Sequence, residues 1–256
     1  MLRPYQIDAV ERLRASFARH RRVLLQAPTG AGKTVIFSWL AHAVAARSKS
    51  VKILAHRREL VRQASAKLTD TGVDHGIIDT STRGVSRKLV NVASVQTLVR
   101  RLAHYPDDPD LIIVDEAHKV FKLIPRWMES GKVFIGLSAT PWAPGLGKLY
   151  DDLIICSTIK DLIADGHLSD FRAYAPSHPD LTGVSVSAGD YNSGQLSDVM
   201  SERRLVADVV ETWAKLGNNE PTLCFAVDRA HAKKLQNQFL SAGIPAGYVD
   251  KDTDRI

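Results

Sequence analysis

Ala27-Pro28-Thr29-Gly30-Ala31-Gly32-Lys33-Thr34 is the stretch that decides the fold. It lies between an apolar, strand-like run, Val23 to Leu25, and a helical pattern that begins near Thr34, which is where a phosphate loop belongs. Gly30 and Gly32 let the backbone turn and bring its N–H groups close to phosphate oxygens, while the helix N-terminus adds a partial positive charge. Pro28, Thr29 and Ala31 complete the loop. Lys33 would reach the β- and γ-phosphates of a nucleotide, and Thr34 would offer a hydroxyl to Mg²⁺. Ala27 departs from the general pattern GxxxxGK[ST], which has glycine there. Taken alone, the loop could also be a glycine turn before an ordinary helix.

Working outward, 256 residues with 45% hydrophobic content suit one or two globular domains. No apolar run is long enough to span a bilayer, and the N-terminus carries polar residues where a signal peptide needs its apolar region; the expectation is a cytoplasmic protein without a membrane partner. Cys156 and Cys224 lack metal-site or disulfide spacing and read as packing residues. A net charge of +6 suits a polyanionic partner without requiring one.

Upstream of the loop, Pro4 to Arg22 reads as an amphipathic helix with Ile7, Val10, Leu13 and Phe17 on one face. Gln6 near its start can donate to and accept from an adenine edge at once. Downstream, the helix from Thr34 has Ile36, Trp39, Leu40 and Val44 as its expected buried stripe. Val51 to Ala55 reads as a strand ending in His56-Arg57-Arg58. In an open parallel sheet ligands sit beyond the carboxyl ends of strands, so Arg57 and Arg58 face the working edge, where they could hold a backbone phosphate or form a solvated basic turn. Short strands at Gly76 to Ile78 and Val90 to Ala93 flank a loop, Thr80 to Gly84. Ser94, Gln96 and Thr97 then leave a strand end and could contact a sugar-phosphate backbone or cap the next helix.

Leu111 to Val114 is a buried-strand signal ending in Asp115-Glu116-Ala117-His118. Two carboxylates at such a place need a reason, because an unpaired buried charge is expensive. With the phosphate loop in hand, Asp115 would hold Mg²⁺ and Glu116 would position and deprotonate the water that attacks a γ-phosphate. The next strand, Val133 to Leu137, ends in Ser138-Ala139-Thr140, whose hydroxyls can bond a carboxylate near the phosphates.

Together these residues resemble the superfamily-two helicases and translocases, the DEAD/DEAH-box group broadly defined. Arg3-Pro4-Tyr5-Gln6 resembles that group's adenine-reading element, Ala27 to Thr34 its AxTGxGKT variant of the phosphate loop, and Asp115 to His118 its DEAH signature. His56 to Gln63 and Ser94 to Leu98 resemble its backbone-contact motifs. Ser138-Ala139-Thr140, with His118, resembles the element that couples hydrolysis to strand movement. Leu162 to Leu168 and Phe171 to Pro176 look like the connector of bacterial and phage helicases related to repair and restriction motors.

The resemblance implies an α/β, RecA-like domain with a parallel sheet at residues 1–170, a connector at 171–200 and the opening of a second RecA-like domain at 201–256. The second unit is expected to carry a helix from Glu202 to Leu216, a buried strand from Thr222 to Val227, a helix from Asp228 to Leu240 and a strand from Ala246 to Val249, with His231 a helix-surface or packing residue rather than a catalyst. Asp180 to Leu196 has a linker-like composition. The implied function is an ATP-dependent nucleic-acid helicase using ATP and Mg²⁺, with DNA ahead of RNA as partner. Two alternatives stand: a double-stranded DNA translocase subunit of a restriction or repair complex, and a nucleotide-dependent nucleic-acid-binding remnant without turnover. The arginine finger that such motors use is expected from a further segment or a protein partner, leaving the isolated chain weakly active.

Overall fold

The computed structural model describes residues 2–82, 86–101, 109–119, 123–174, 179–187, 190–250 and 252–253. Arg83 and Gly84 of the expected loop, and Ala175 and Pro176 of the expected connector, lie outside them. The chain divides into two compact units, 1–170 and 171–256.

Unit 1 is a seven-stranded sheet. Its strands are β1 (Arg22–Gln26), β2 (Val51–Ala55), β3 (His75–Ile78), β4 (Val90–Ser94), β5 (Leu111–Val114), β6 (Val133–Ser138) and β7 (Asp152–Ile155). Their spatial order is β3-β4-β2-β5-β6-β1-β7, and every pairing is parallel. Side chains on a strand alternate between faces, so a strand covered on both sides must be apolar at successive positions. The two halves of the core obey this. Val23, Leu25, Ile53, Ile113 and Ile135 join a cluster with residues of α1 (Pro4–Ser16), α2 (Lys33–Ala45) and α3 (Arg58–Asp70). Leu24, Leu54, Ile112, Val114 and Phe134 face the other way, toward α4 (Val95–Arg100) and α5 (Leu123–Met128).

Several expectations need correction. The first helix ends at Ser16 rather than Arg22, because Arg22 opens β1, and Ile7 is exposed. In α2 the deepest aromatic is Phe37, with Trp39 and Val44 only partly buried, since this helix packs over the sheet through Ile36, Phe37, Leu40 and Ala41. β7 was not expected from the sequence; it extends the sheet beside β1 and leads into α6 (Ile159–Ala164).

Among its described residues unit 2 holds two short antiparallel strands, β8 (Val186–Ser187) and β9 (Asp190–Tyr191), and three helices, α7 (Ser193–Met200), α8 (Arg203–Leu216) and α9 (Arg229–Ser241). The Trp213 and Phe239 rings meet edge to face at 5.9 Å. The expected strands at Thr222–Val227 and Ala246–Val249 are not strands here. Leu223 is 85% and Phe225 90% exposed, and among the described residues no strand lies beside either segment to satisfy its backbone. Cys224 is exposed as well, whereas Cys156 is buried. His231 is a buried packing residue: its Nδ1 accepts the Val227 N–H at 3.2 Å, and burial lowers its pKa.

Candidate active site

Sheet order brings the three expected chemical motifs to one edge. β5, β6 and β1 are consecutive neighbours, so the turns leaving their carboxyl ends emerge side by side. Gln26 pairs in register with Ser138, and the Ala27 N–H donates to the Ser138 carbonyl at 2.9 Å, pinning the start of the phosphate loop to the end of β6. The Asp115 N–H reaches the Leu54 carbonyl and the Ala117 N–H the Leu137 carbonyl, which fixes the carboxylate pair between β2 and β6.

Within the loop, Gly30 and Gly32 both have left-handed backbones, φ 84° and 78°, a conformation glycine adopts at no steric cost. Gly32 is the residue before the first turn of α2. A Cβ at Gly32 would lie 2.6 Å from Gln6 Nε2, so a side chain there would push the Gln6 amide off the Ala31 carbonyl as well as strain the backbone. Lys33 Nζ folds back to donate to the Ala27 carbonyl at 3.2 Å, and its charge pulls on Asp115.

The start of α1 clamps this loop. The Tyr5 hydroxyl and Gln6 Nε2 both donate to the Ala31 carbonyl, at 3.0 and 2.9 Å, and Gln6 Oε1 accepts the Arg3 N–H at 2.9 Å. Gln6 is only 3% exposed. Its amide therefore serves the protein first, leaving one N–H and one lone pair for anything else. Tyr5 was not among the expected site residues; an aromatic beside Gln6 in the first turn of a helix that precedes a phosphate loop was the available signal.

The carboxylate pair is built under strain. Glu116 has φ 53°, a left-handed conformation that costs a non-glycine residue roughly 1–2 kcal/mol. Its N–H donates to Asp115 Oδ1 at 3.0 Å, and the neighbouring Ala117 bond to β6 holds the turn. Burial first, then the charge of Glu116, push the Asp115 carboxyl above its ordinary range, while Lys33 and His118 pull the other way. A divalent cation would relieve both penalties. Among the described residues no cluster of three His, Cys, Asp or Glu could hold a metal. Mg²⁺ needs no such cluster, since it takes one or two carboxylates and completes its shell with water and phosphate oxygens; Asp115 and the Thr34 hydroxyl could supply the protein's share.

His118 joins the carboxylates to β6. Its Nδ1 lies 3.3 Å from Glu116 Oε2 and 3.1 Å from Ser138 Oγ. Ser138 Oγ already accepts the Thr140 N–H at 3.0 Å, so its own proton is free to go to an unprotonated Nδ1. A protonated Nδ1 donates to Glu116 or to Ser138 Oγ instead. Ala139 contributes backbone only: its carbonyl lies 3.5 Å from Gln26 Nε2.

The basic edge is assembled differently from expectation. Arg57 precedes α3 and is exposed. Arg58 Nε instead lies 3.5 Å from Asp79 Oδ2, whose carboxylate also accepts from Ser81 and Thr82. Gln96 Nε2 donates to the His56 carbonyl and Gln96 Oε1 accepts from Ser94 Oγ, both at 3.0 Å, so the two expected backbone-contact motifs do meet at the ends of β2 and β4. Thr97 is 5% exposed and lies inside α4's packing rather than on the surface, because the helix turns that position toward the sheet.

A parallel sheet of this order, with a phosphate loop, a carboxylate pair and a hydroxyl motif on neighbouring strand ends, is a RecA-like domain of the helicase kind. Residues 1–143 match the ResIII family, described as "Type III restriction enzyme, res subunit", and the chain belongs to that family. It is 32% identical over its whole length to "Putative ATP-dependent helicase IRC3" of Saccharomyces cerevisiae, covering 41% of that protein. It is 26% identical to a "51.5 kDa protein" of Lactococcus phage (isolate 7-9), with 91% of this chain and 50% of that one aligned. Among solved structures, a fragment of "a putative HsdR subunit of a type I restriction enzyme from Vibrio vulnificus YJ016" shares the fold with a TM-score of 0.66 at 20% identity, covering 93% of this chain and 45% of that one. The chain thus spans half or less of the length of these relatives. Among the described residues no helix is long and apolar enough to cross a membrane.

Proposed function

We propose that this chain binds Mg·ATP at the phosphate loop and belongs to an ATP-driven motor acting on nucleic acid, DNA ahead of RNA. The observation that carries the reading is the meeting of Lys33, Asp115, Glu116, His118 and Ser138 at three adjacent strand ends. The loop's backbone N–H groups and Lys33 would bind the phosphates, Lys33 leaving the Ala27 carbonyl for them. Thr34 and Asp115 would hold Mg²⁺, which neutralises charge on the β- and γ-oxygens when bound. Glu116 would orient a water and take its proton. Arg3, Tyr5 and the remaining N–H and lone pair of Gln6 would meet the base. His118, sharing Nδ1 between Glu116 and Ser138, would report the state of the carboxylate to β6, Ala139 and Thr140. Arg57, Ser94 and Gln96 would touch a nucleic-acid backbone on the same edge.

A translocating subunit of a restriction assembly is the second reading, favoured by the description of the matched family. An arginine finger is worth ~10³–10⁵ in rate in this chemistry. With this chain aligned to 41% and 50% of those two relatives, the 256 residues by themselves are expected to bind ATP and turn it over slowly. The test is a titration with a fluorescent ATP analogue and Mg²⁺: wild type should bind and Lys33→Ala should lose most affinity. Equal binding by the two would sink the assignment.

A further inference from the structure

The segment that leaves unit 1 is seated on the phosphate loop. After α6, Gly166 has φ 69° and reverses the chain, and the His167 and Leu168 N–H groups both return to the Leu162 carbonyl, at 2.8 and 3.0 Å. Leu162 is fully buried, so this turn is anchored in the core. The reversal carries Leu168 over Gly30: a Cβ built on Gly30 would lie 2.6 Å from Leu168 Cδ2. It also places the His167 ring 5.5 Å from the ring of Tyr5, whose hydroxyl bonds the next loop residue but one from Thr29, Ala31. Two consecutive side chains thus bear on two adjacent parts of the loop, two residues before unit 1 ends at Asp170.

We propose that Leu168 and His167 are positioning residues for nucleotide, holding Gly30 and, through Tyr5, Ala31 in the conformation that receives phosphate. This rests on the nucleotide reading above. The physical reason is ordering. A glycine-rich loop has many accessible conformations, and a ligand that must freeze them binds more weakly than one that meets a loop already shaped. Leu168 packs against Gly30 and His167 backs the aromatic that bonds Ala31, so the loop is held at two points. Phosphates that shift Gly30 must also shift Leu168.

The contact makes a prediction in which the sign of an effect reverses. In the wild-type background, Leu168→Ala loosens the loop and should weaken binding of a fluorescent ATP analogue with Mg²⁺ by about threefold to tenfold, the loss of one ordering side chain. In a Gly30→Ala background the same substitution removes the clash with the new Cβ, so Gly30→Ala/Leu168→Ala should bind more tightly than Gly30→Ala alone, with the left-handed strain still keeping it weaker than wild type. Leu168→Met, which refills the space with a flexible chain, should bind like wild type within about twofold. Circular dichroism and melting temperature establish that each variant is folded. Should Leu168→Ala fail to fold, Leu168→Met carries the test, since a methionine yields to the added Cβ and should still improve the Gly30→Ala variant. Additive losses, with position 168 weakening binding equally in both backgrounds, would overturn the proposal. Failure of the wild type to bind more tightly than Lys33→Ala is a different result and would overturn the nucleotide reading instead.

Discussion

Leu111 to Val114 in unit 1 and Thr222 to Val227 in unit 2 are apolar runs of similar make-up with opposite surroundings. The first pairs with β2 on one side and β6 on the other, and its residues are buried on both faces. The second has no paired neighbour among the described residues; Leu223 and Phe225 face solvent, and the chain there lines a cavity of about 430 Å³ with Trp213, Phe239 and Val249. An α-helix satisfies its backbone from within, which is why α8 and α9 form in the same unit. A strand is completed by others. Unit 1 therefore buries its apolar runs between paired strands, whereas unit 2 has helices beside an exposed apolar run.

That contrast can be broken most severely at Glu116. If the paired half carries the chemistry, Glu116→Gln should cut any ATP turnover by about 10²–10⁴ while leaving analogue binding intact; unchanged turnover in a coupled assay would remove the water-activating role. Next in size is a matched pair of aromatic truncations. Phe134 is fully buried in β6, so Phe134→Ala should destabilise unit 1 by about 3–5 kcal/mol, whereas Phe225→Ala should shift stability by no more than about 0.5 kcal/mol. Urea unfolding of both variants decides it, and equal losses would mean that unit 2's run is packed in solution.

A finer version of the contrast between partnered and unpartnered groups sits at the start of α3. Arg58 is engaged by Asp79, while among the described residues Arg57 makes no ion pair. Arg57→Ala should therefore flatten the slope of log affinity against log salt for single-stranded DNA by about 0.7, and Arg58→Ala by less. Identical slopes for the two variants would show that Asp79 does not withhold its partner. The smallest effect belongs to Asp79 itself. Burial pushes its carboxyl up, but the Ser81 hydroxyl and N–H, the Thr82 N–H and the Arg58 charge outweigh it, so the folded-state pKa is lowered. The stability it contributes is present above the unfolded value near ~3.9 and is lost as pH falls through the lower folded value. Asp79→Asn should be modestly less stable than wild type at pH 7, with the gap closing only below about pH 4; a gap that does not depend on pH would place the effect in packing.

What the sequence made legible follows the same logic. β2 and β5 were readable to the residue because a strand buried on both faces needs apolar residues at successive positions, which Leu111 to Val114 supplies throughout and Val51 to Ala55 at every position but Lys52. β7 was not, since Asp152 begins it and Leu153 and Ile155 are exposed at the sheet's edge, where no such run is demanded. The phosphate loop and the carboxylate pair were legible as local strings whose chemistry dictates residue type. Tyr5 and the Leu168 contact were not, because each acts by meeting Ala31 or Gly30 from far along the chain. The surroundings of Arg58 and Thr97 were not legible for the converse reason: a charge or hydroxyl in a motif says what it could bind, while the Asp79 carboxylate beside Arg58 and the inward helix face at Thr97 are set by the rest of the fold.

The position of β1 in the sheet sets a schedule for making the protein. β1 ends at Gln26, yet its two neighbours are β6 and β7, which finish at Ser138 and Ile155. On the ribosome the phosphate-loop strand thus emerges well before its second partner, waiting through roughly 130 further residues, or about 6–26 s at ~5–20 residues per second. β2, β4 and β5 can pair among themselves in the meantime. The nascent chain therefore can assemble one side of its sheet before β1 has either neighbour, and the strand ends that carry Gln26, Asp115 and Ser138 come together only once β6 is out.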